Sequence, residues 1–439
     1  MSRDRLGFML RENIVEGRPS RMDAYSDYTG FSIPPCGEYA PKAGSISVPP
    51  WMPAITGVGN FQRLSLHREI EHFTAYIRPT DKELALRRDL VSRFVKLVDK
   101  LDPDATVRVL GSTASGLHYP TSDIDMTITF RGVSKSSSRS SSTRTRLSTL
   151  EHKIQSSGFA SRIDSILNAA VPLLRITDAM TGLEIDLTAS DERGVKGTKM
   201  VLAWTNSDNW TVIESLVAVL KLFLSTRRLG TPYTGGINSY LLVWMVVAWV
   251  HLELPRLYKG KWRKGYLHEF DDVGPVAGPS SFPSSPRADE SEPIDLGVAL
   301  RAFFKFYGED LDTTTACIRF TPTGVTYGVK SFSSSRRAHQ RYLLSITDPA
   351  DDDVDLGSKA YAFKHVQASF REAYRTLEAL EDGTADRTEL VKARMQGTLG
   401  CVLGGDYAYL AEKRKRIVDR WRRNRKTAMS QDAVSYSHR

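Results

Sequence analysis

The apolar patterning of this 439-residue chain predicts an α/β protein in two parts, a mixed-sheet domain followed by a mostly helical one. Three observations predict it. Short alternating runs at 106–110, 124–130 and 184–188 have the period-2 pattern of strands, and two of them carry carboxylates. Helical periodicity leads into the first of these runs. The most sustained helical patterns, 209–228 and the apolar 240–250, come only after the last.

Taken in order, residues 1 to about 58 lack sustained periodicity and contain Pro34-Pro35 and Pro49-Pro50, so disorder is expected there. From Leu64 onward Leu66, Ile70, Phe73, Tyr76 and Ile77 recur at helical spacing. Thr80-Asp81-Lys82-Glu83 then offers a capping box for a second helix running to about Leu101. A strand at 106–110 leads to Gly111-Ser112 and a short excursion. Asp123-Ile124-Asp125 follows and opens the run Met126-Thr127-Ile128-Thr129-Phe130. The serine-rich 135–142 reads as a surface connection. A turn at Gly182 precedes Glu184-Ile185-Asp186-Leu187-Thr188, a second carboxylate strand. In 209–228 the residues Ile213, Leu216, Val217, Leu220 and Leu224 form one face, bordered by Lys221. Residues 273–293, rich in Pro, Ser and Gly, are expected to be disordered. Residues 413–426 are basic on all faces with one aromatic. They read equally as a solvated tail or as a phosphate-tracking or nuclear-targeting segment.

Composition narrows the class. A net charge of +9 and a pI near 9.3 favour a polyanionic partner. Cys36, Cys317 and Cys401 are far apart and no Cys/His cluster has metal-ligand spacing, which argues against a disulfide framework or zinc site and suits a reducing compartment. The first thirty residues are charged and polar, unlike a secretory signal. The stretch 240–250 is shorter than the ~20 residues a bilayer needs. It reads as a buried core helix, so a soluble intracellular protein without membrane contact is expected.

The chemistry is concentrated around 111–125. Residues i and i+2 of a strand share a face, so Asp123 and Asp125 project together while Ile124 enters the core. Adjacent carboxylates repel unless a cation lies between them, and magnesium is held by one or two carboxylates plus substrate phosphates. The Gly111-Ser112 turn leaves N–H groups and a hydroxyl for a phosphate. Asp-x-Asp alone is common at solvated strand edges; with Gly-Ser upstream at this distance it points to nucleotidyl transfer. A third carboxylate is required, and by spacing either Glu184 or Asp186 serves. Two ions would then clamp the attacking and leaving oxygens of an in-line displacement. By spacing Lys221 more readily snorkels to water than meets a triphosphate.

These residues resemble the noncanonical nuclear poly(A) polymerases of the Trf type, a branch of the polymerase β-like nucleotidyltransferases. The resemblance rests on Phe73 to Thr80, Leu117 to Asp125, Ala170 to Arg175, Thr234-Gly235-Gly236-Ile237-Asn238-Ser239-Tyr240, Leu296 to Gly308 and Asp348 to Gly357. It implies a polymerase β-like catalytic domain over 59–205, whose first helix (about 59–80) packs on a central domain at 206–405, with a cleft between the two. A disordered segment at 1–58 and a basic tail at 406–439 would flank them.

It also implies that Asp123, Asp125 and Asp186 bind two Mg2+ or Mn2+ ions and that ATP is the substrate. Gly111, Ser112, Gly194, Lys221, Ser239, Tyr240 and Asp355 would contact the nucleotide. Ser112, Lys221 and Ser239 would face its phosphates, and Tyr240 would stack on its base. The implied setting is the nucleus, the nucleolus included. Implied partners are an RNA 3′ end, a zinc-knuckle RNA-binding protein and an RNA helicase. Two departures from the family stand out. Arg193-Gly194 replaces the usual Asn-Gly, and Val354 and Ser358 replace polar residues around Asp355-Leu356-Gly357. Related uridylyltransferases carry a histidine where Val354 sits, so its absence favours ATP.

Overall fold

A computed structural model describes residues 28–36, 40, 48–52, 64–131, 141–169, 171–189, 192–258, 294–330, 340–405 and 407–437. The segment 273–293, most of 135–142 and much of 1–58 therefore lie outside the described residues.

In chain order the helices and strands of the first half are α1 (Leu66–Ile77), α2 (Asp81–Leu101), β1 (Ala105–Val109), β2 (Ile124–Phe130), α3 (Ser141–Ser156), β3 (Ala160–Ile166), β4 (Leu173–Asp178), β5 (Glu184–Ala189) and α4 (Glu192–Thr205). The second half adds α5 (Trp210–Thr226), α6 (Ser239–Leu252), α7 (Leu296–Lys305), β6 (Ala316–Thr321), β7 (Gly324–Val329), β8 (Thr347–Asp348), β9 (Asp351–Asp355), α8 (Phe363–Asp382), α9 (Arg387–Leu403) and α10 (Ala408–Ser437). The chain divides into two compact units. Ile77–Trp204 and α10 make one, and the remaining described elements make the other.

In the first unit a five-stranded sheet has the order β1-β2-β5-β4-β3. Only β2 and β5 run parallel, so the sheet is mixed as expected. Alternation does the sorting. Ile124, Met126 and Ile128 of β2, and Ile185 and Leu187 of β5, turn to one face. There they join Leu90, Phe94 and Val98 of α2 and Leu147, Leu150 and Ile154 of α3 in a single core. The carboxylates fall on the other face by the same alternation. Helix α2 begins at the expected capping box: Glu83 N–H donates to Thr80 Oγ1 at 3.3 Å and Thr80 N–H to Glu83 Oε2 at 2.8 Å.

The last helix departs from the expected tail. Ile417 is buried in the sheet unit's core, and Val418 and Trp421 pack against it, so α10 is a docked element with one apolar stripe. The surrounding Lys and Arg residues mask that stripe in the sequence. The side chain of Arg414 is also turned inward, onto Glu83.

The second unit is mainly helical. Helix α6 is apolar on every side because every side is covered: Leu241 to Val250 are all buried. With the short helix that follows, it makes a 19-residue apolar stretch, Ser239–Leu257, longer than the sequence alone suggested. Part of the N-terminal segment expected to be disordered is ordered against this unit. Trp51 packs edge-on to Phe73 and Tyr407, and Ile33 is buried with its N–H on Ser369 Oγ at 3.0 Å. Two well-placed apolar side chains anchor this segment without periodicity.

Candidate active site

Strand β2 starts at Ile124, so Asp123 stands at its entrance and Asp125 one residue inside, both exposed on either side of buried Ile124. In the parallel β2–β5 pairing Asp125 lies directly opposite Asp186. The sheet register thus places the three carboxylates singled out in the sequence on one face of the sheet. Glu184 shares the face, one pleat back.

The approach to β2 is held by a residue that the sequence reading passed over. The guanidinium of Arg87, on α2, is 3% exposed and donates through Nη2 to the carbonyls of Tyr119 (3.1 Å), Pro120 (2.9 Å) and Ser122. Burial lowers its pKa to about 10, against the opposing pull of Asp123 and Glu83.

Arg175 is the second such residue. It sits on β4 opposite Asp186 and grips that carboxylate with two bonds of 2.8 Å, Nε to Oδ1 and Nη2 to Oδ2. Glu184 is 3.6 Å away. The hydrogen bonds to Asp186 raise the Arg175 pKa further above its usual range. The β4–β5 hairpin around Gly182 was the local signal that could have placed Arg175 opposite Asp186.

Asp123 is not gripped in this way by any guanidinium among the described residues. Protein atoms crowd it enough that desolvation raises its pKa despite its exposed surface, and the negative charges of Asp186 and Glu184 add to the shift. Arg175 and Lys413, on α10, act against it.

The Gly-Ser turn is a one-turn helix, Gly111–Ser115. Gly111 has φ +61°, and a Cβ there would come within 2.4 Å of Asp125 Oδ2, so only glycine lets the turn close on that carboxylate. Its N–H is not left open as the sequence reading supposed. It donates to Thr198 Oγ1 at 3.0 Å, and that hydroxyl donates to the Gly194 carbonyl at 2.8 Å. Thr198 thereby ties Gly194 of α4 to the turn. Ser112, half-buried, accepts at its carbonyl from Ser115 Oγ.

The other expected nucleotide contacts lie in the helical unit. Lys221 is half-buried on α5, and Ser239 is exposed at the first turn of α6, which Asn238 caps through the Leu241 N–H. The hydroxyl of Tyr240 donates to Asp348 Oδ1 at 2.8 Å, and its ring stands edge-on to Trp244. Burial and the Asp348 charge raise its pKa. The Asp348 bond and the Trp244 contact hold the ring in place.

Asp355, expected at the nucleotide, is engaged by its own turn. Oδ1 accepts from Ile346 and Gly357 N–H, and Oδ2 from Ser345 Oγ at 2.9 Å. The carboxylate holds its own turn together. Within that turn Gly357 is required, because a Cβ there would lie 1.9 Å from the Leu344 carbonyl oxygen. Val354 is half-buried, and Asp352 and Asp353 are exposed beside it.

The donor set of Asp123, Asp125 and Asp186 is all carboxylate oxygen, the type a hard divalent cation takes. Mutual repulsion at Asp123 is what such a cation relieves, so the residues fit the ion. Among the described residues no three His, Cys, Asp or Glu side chains already converge as a metal cluster. Asp186 has both oxygens on Arg175 instead.

Known proteins resemble this chain in sequence and in fold. Residues 66–206 match the family model of the central palm domain of mitochondrial-like poly(A) RNA polymerase, and residues 295–354 match that of the Cid1 family of poly A polymerases. Poly(A) RNA polymerase cid14 of Schizosaccharomyces pombe is 28% identical over 328 residues, covering 74% of this chain and 42% of that protein. Poly(A) RNA polymerase protein 2 of Saccharomyces cerevisiae is 26% identical over 349 residues, covering 79% and 52%. The chain thus spans about half the length of these curated relatives. In fold it is similar to the polymerase core of TRAMP, an RNA surveillance complex, with a TM-score of 0.60, 23% identity and coverage of 77% of this chain and 93% of that one.

Proposed function

From its similarity to poly(A) RNA polymerases, we infer that this chain is a noncanonical poly(A) polymerase of the Trf type, which adds adenylates from ATP to RNA 3′ ends without a template. The observation that carries the reading is the register that sets Asp125 beside Asp186, with Asp123 at the mouth of the same strand.

Asp123, Asp125 and Asp186 would hold two magnesium or manganese ions, which supply charge neutralisation and activate the attacking hydroxyl. The RNA 3′ oxygen bonds to the α-phosphorus of ATP as the bond to the bridging oxygen breaks, and pyrophosphate leaves. The hydroxyl proton passes to the carboxylate set, with Asp186 as its acceptor. Arg175 aligns Asp186 for that role through a two-point grip that fixes both oxygens. Arg87 holds the chain entering Asp123, and Gly111 lets the turn approach Asp125. The rest is positioning and electrostatics, as in phosphoryl transfer generally. Ser112, Gly194, Lys221 and Ser239 are proposed to meet the nucleotide, with Tyr240 stacking on its base.

Nuclear RNA surveillance is the proposed setting, with decay following tailing and with a zinc-knuckle RNA-binding protein and a helicase as partners. Its support is the likeness to the TRAMP polymerase core and the basic composition. A second reading, a relaxed nucleotide adder or uridylyltransferase, has one observation in its favour. Val354 offers no polar group, and the Asp355 carboxylate is occupied by its turn. Extension of a labelled oligonucleotide with each of the four nucleotides, with and without magnesium, tests both. Magnesium-dependent ATP-only tails support the first, equal use of several nucleotides the second, and no extension by a folded chain with any nucleotide refutes both.

A further inference from the structure

The basic helix α10 meets helix α2 of the sheet unit through Arg414. Arg414 places Nε 3.0 Å from Glu83 Oε1 and Nη2 2.8 Å from Glu83 Oε2, in a two-point ion pair with side chains 14% and 7% exposed. Glu83 stands one helical turn before Arg87 on α2. Arg87 in turn donates to three successive stops along the irregular segment that ends at Asp123, the carbonyls of Tyr119, Pro120 and Ser122. These carbonyls converge on one Nη2, so the path of the segment follows that nitrogen. Its Nε and Nη1 are buried without a hydrogen-bond partner among the described residues, which leaves the guanidinium free to be recruited elsewhere.

We propose that Arg414 is a positioning residue for Asp123: by holding Glu83 it leaves Arg87 committed to the segment that delivers Asp123 to the site. The physical reason is competition. A carboxylate attracts a guanidinium with a full opposite charge, most strongly where both are buried, whereas a carbonyl offers only its dipole, and residues i and i+4 on a helix face each other. Without Arg414, Glu83 is a buried carboxylate whose nearest cation along its own helix face is Arg87, one turn away. Glu83 then draws Arg87 off the carbonyls, and the segment and Asp123 shift. The proposal rests on the reading of Asp123 as a catalytic carboxylate.

The test is a two-residue cycle in the full chain, scored by steady-state extension of an RNA oligonucleotide with ATP and magnesium. Arg414→Met should lower kcat roughly ten- to hundredfold, the scale on which a misplacement of about 1 Å is felt, with KM for RNA unchanged. Glu83→Gln keeps the capping box, which accepts Glu or Gln at that position, and should be near wild type. The double variant should recover most of kcat, because the neutral amide of Glu83→Gln no longer competes for Arg87. Simple loss of helix docking predicts no such rescue. A double variant as slow as Arg414→Met overturns the proposal. So does a higher KM for RNA at unchanged kcat, which would make Arg414 an RNA contact. If Arg414→Met does not fold, Arg414→Lys replaces it: one bond for two should give an intermediate kcat, and an undiminished kcat overturns the proposal. Asp123→Asn serves as the control. If it stays active, the site reading fails and the proposal falls with it; if it is inactive, the cycle alone decides.

Discussion

Asp123 is raised in pKa by desolvation and then by the like charges of Asp186 and Glu184, which makes it a liability to the fold as well as a tool. The sign follows from linkage. A carboxyl with a folded pKa above its unfolded value favours folding fully below that unfolded value, and the benefit is lost as pH rises through the folded pKa. At neutral pH the ionised group therefore opposes folding. Asp123→Asn is expected to raise the thermal midpoint at pH 7, and the difference from wild type should shrink toward about pH 4, the ordinary carboxyl range. The same variant should lose roughly 10³-fold in kcat, the scale of a lost preorganised electrostatic group. A melting series across pH beside an extension assay checks both; a lower midpoint at pH 7 would contradict the assignment of strain. Adding magnesium should raise the midpoint of the wild type and not that of the variant. Val354 is the second residue of interest. Selecting one base over another needs polar groups that only the correct base satisfies, and Val354 supplies none. The stacking proposed for Tyr240 would serve any base. Exposed Asp352 and Asp353 can accept from the adenine amino group, while uracil presents a carbonyl there. Val354→Asn is therefore expected to sharpen ATP preference and Val354→His to move it toward UTP, read from kcat/KM for each nucleotide. Unaltered ratios in both variants would remove the turn from base reading.

At the scale of elements, α9 shows how one buried charge sets a backbone. The helix is interrupted at Gly397, which has φ +75°, and Glu69 of α1 accepts from the N–H groups of Thr398 (2.9 Å) and Leu399 (2.7 Å) just beyond the break. A Cβ at Gly397 would lie 2.5 Å from Glu69 Oε2, so glycine and carboxylate require each other. Glu69→Ala leaves two buried donors without that acceptor, at about 1–3 kcal/mol each. A loss of roughly 2–4 kcal/mol in denaturant unfolding is expected on that scale, with kcat little changed in the folded fraction. This interaction was invisible in sequence: Glu69 and Leu399 are 330 positions apart, and nothing local marks a carboxylate as a cap for a distant helix. The same holds for Arg414 and Glu83. By contrast, the capping box at Thr80, the alternation of β2 and the pair Asp123/Asp125 were legible because their causes are local. A period of two or a spacing of three is written in adjacent residues. Arg175 was halfway between, readable only once β4 and β5 were taken as one hairpin.

For the whole molecule, the question is what α10 does for activity. A basic free tail would add RNA affinity and nothing else, and its removal would flatten the salt dependence of binding. Ile417 in the sheet unit's core and Arg414 on Glu83 lead to another expectation. Ending the chain at Tyr407 should lower the thermal midpoint of the sheet unit and reduce kcat as well as RNA affinity. A truncated chain with wild-type kcat and only a weaker, salt-insensitive hold on RNA would show α10 to be a tether.

The order in which the units are strung along the chain has a consequence for synthesis. A chain leaves the ribosome at about 5–20 residues per second, and domains generally fold as units, N-terminal first. Here α1 belongs to the helical unit, Ile77–Trp204 to the sheet unit, the stretch after it to the helical unit again, and α10 to the sheet unit. Neither unit is therefore finished when its first part emerges. The sheet, with its repelling carboxylates, must wait for the entire helical unit to be translated before Ile417 and Arg414 arrive to complete it. A message broken before α10 is encoded would accordingly yield a nascent chain with its aspartates in place but a strut of its core missing. Such a product would be exposed to chaperones and proteases, so a complete sheet unit is formed only after the ribosome has passed through α10.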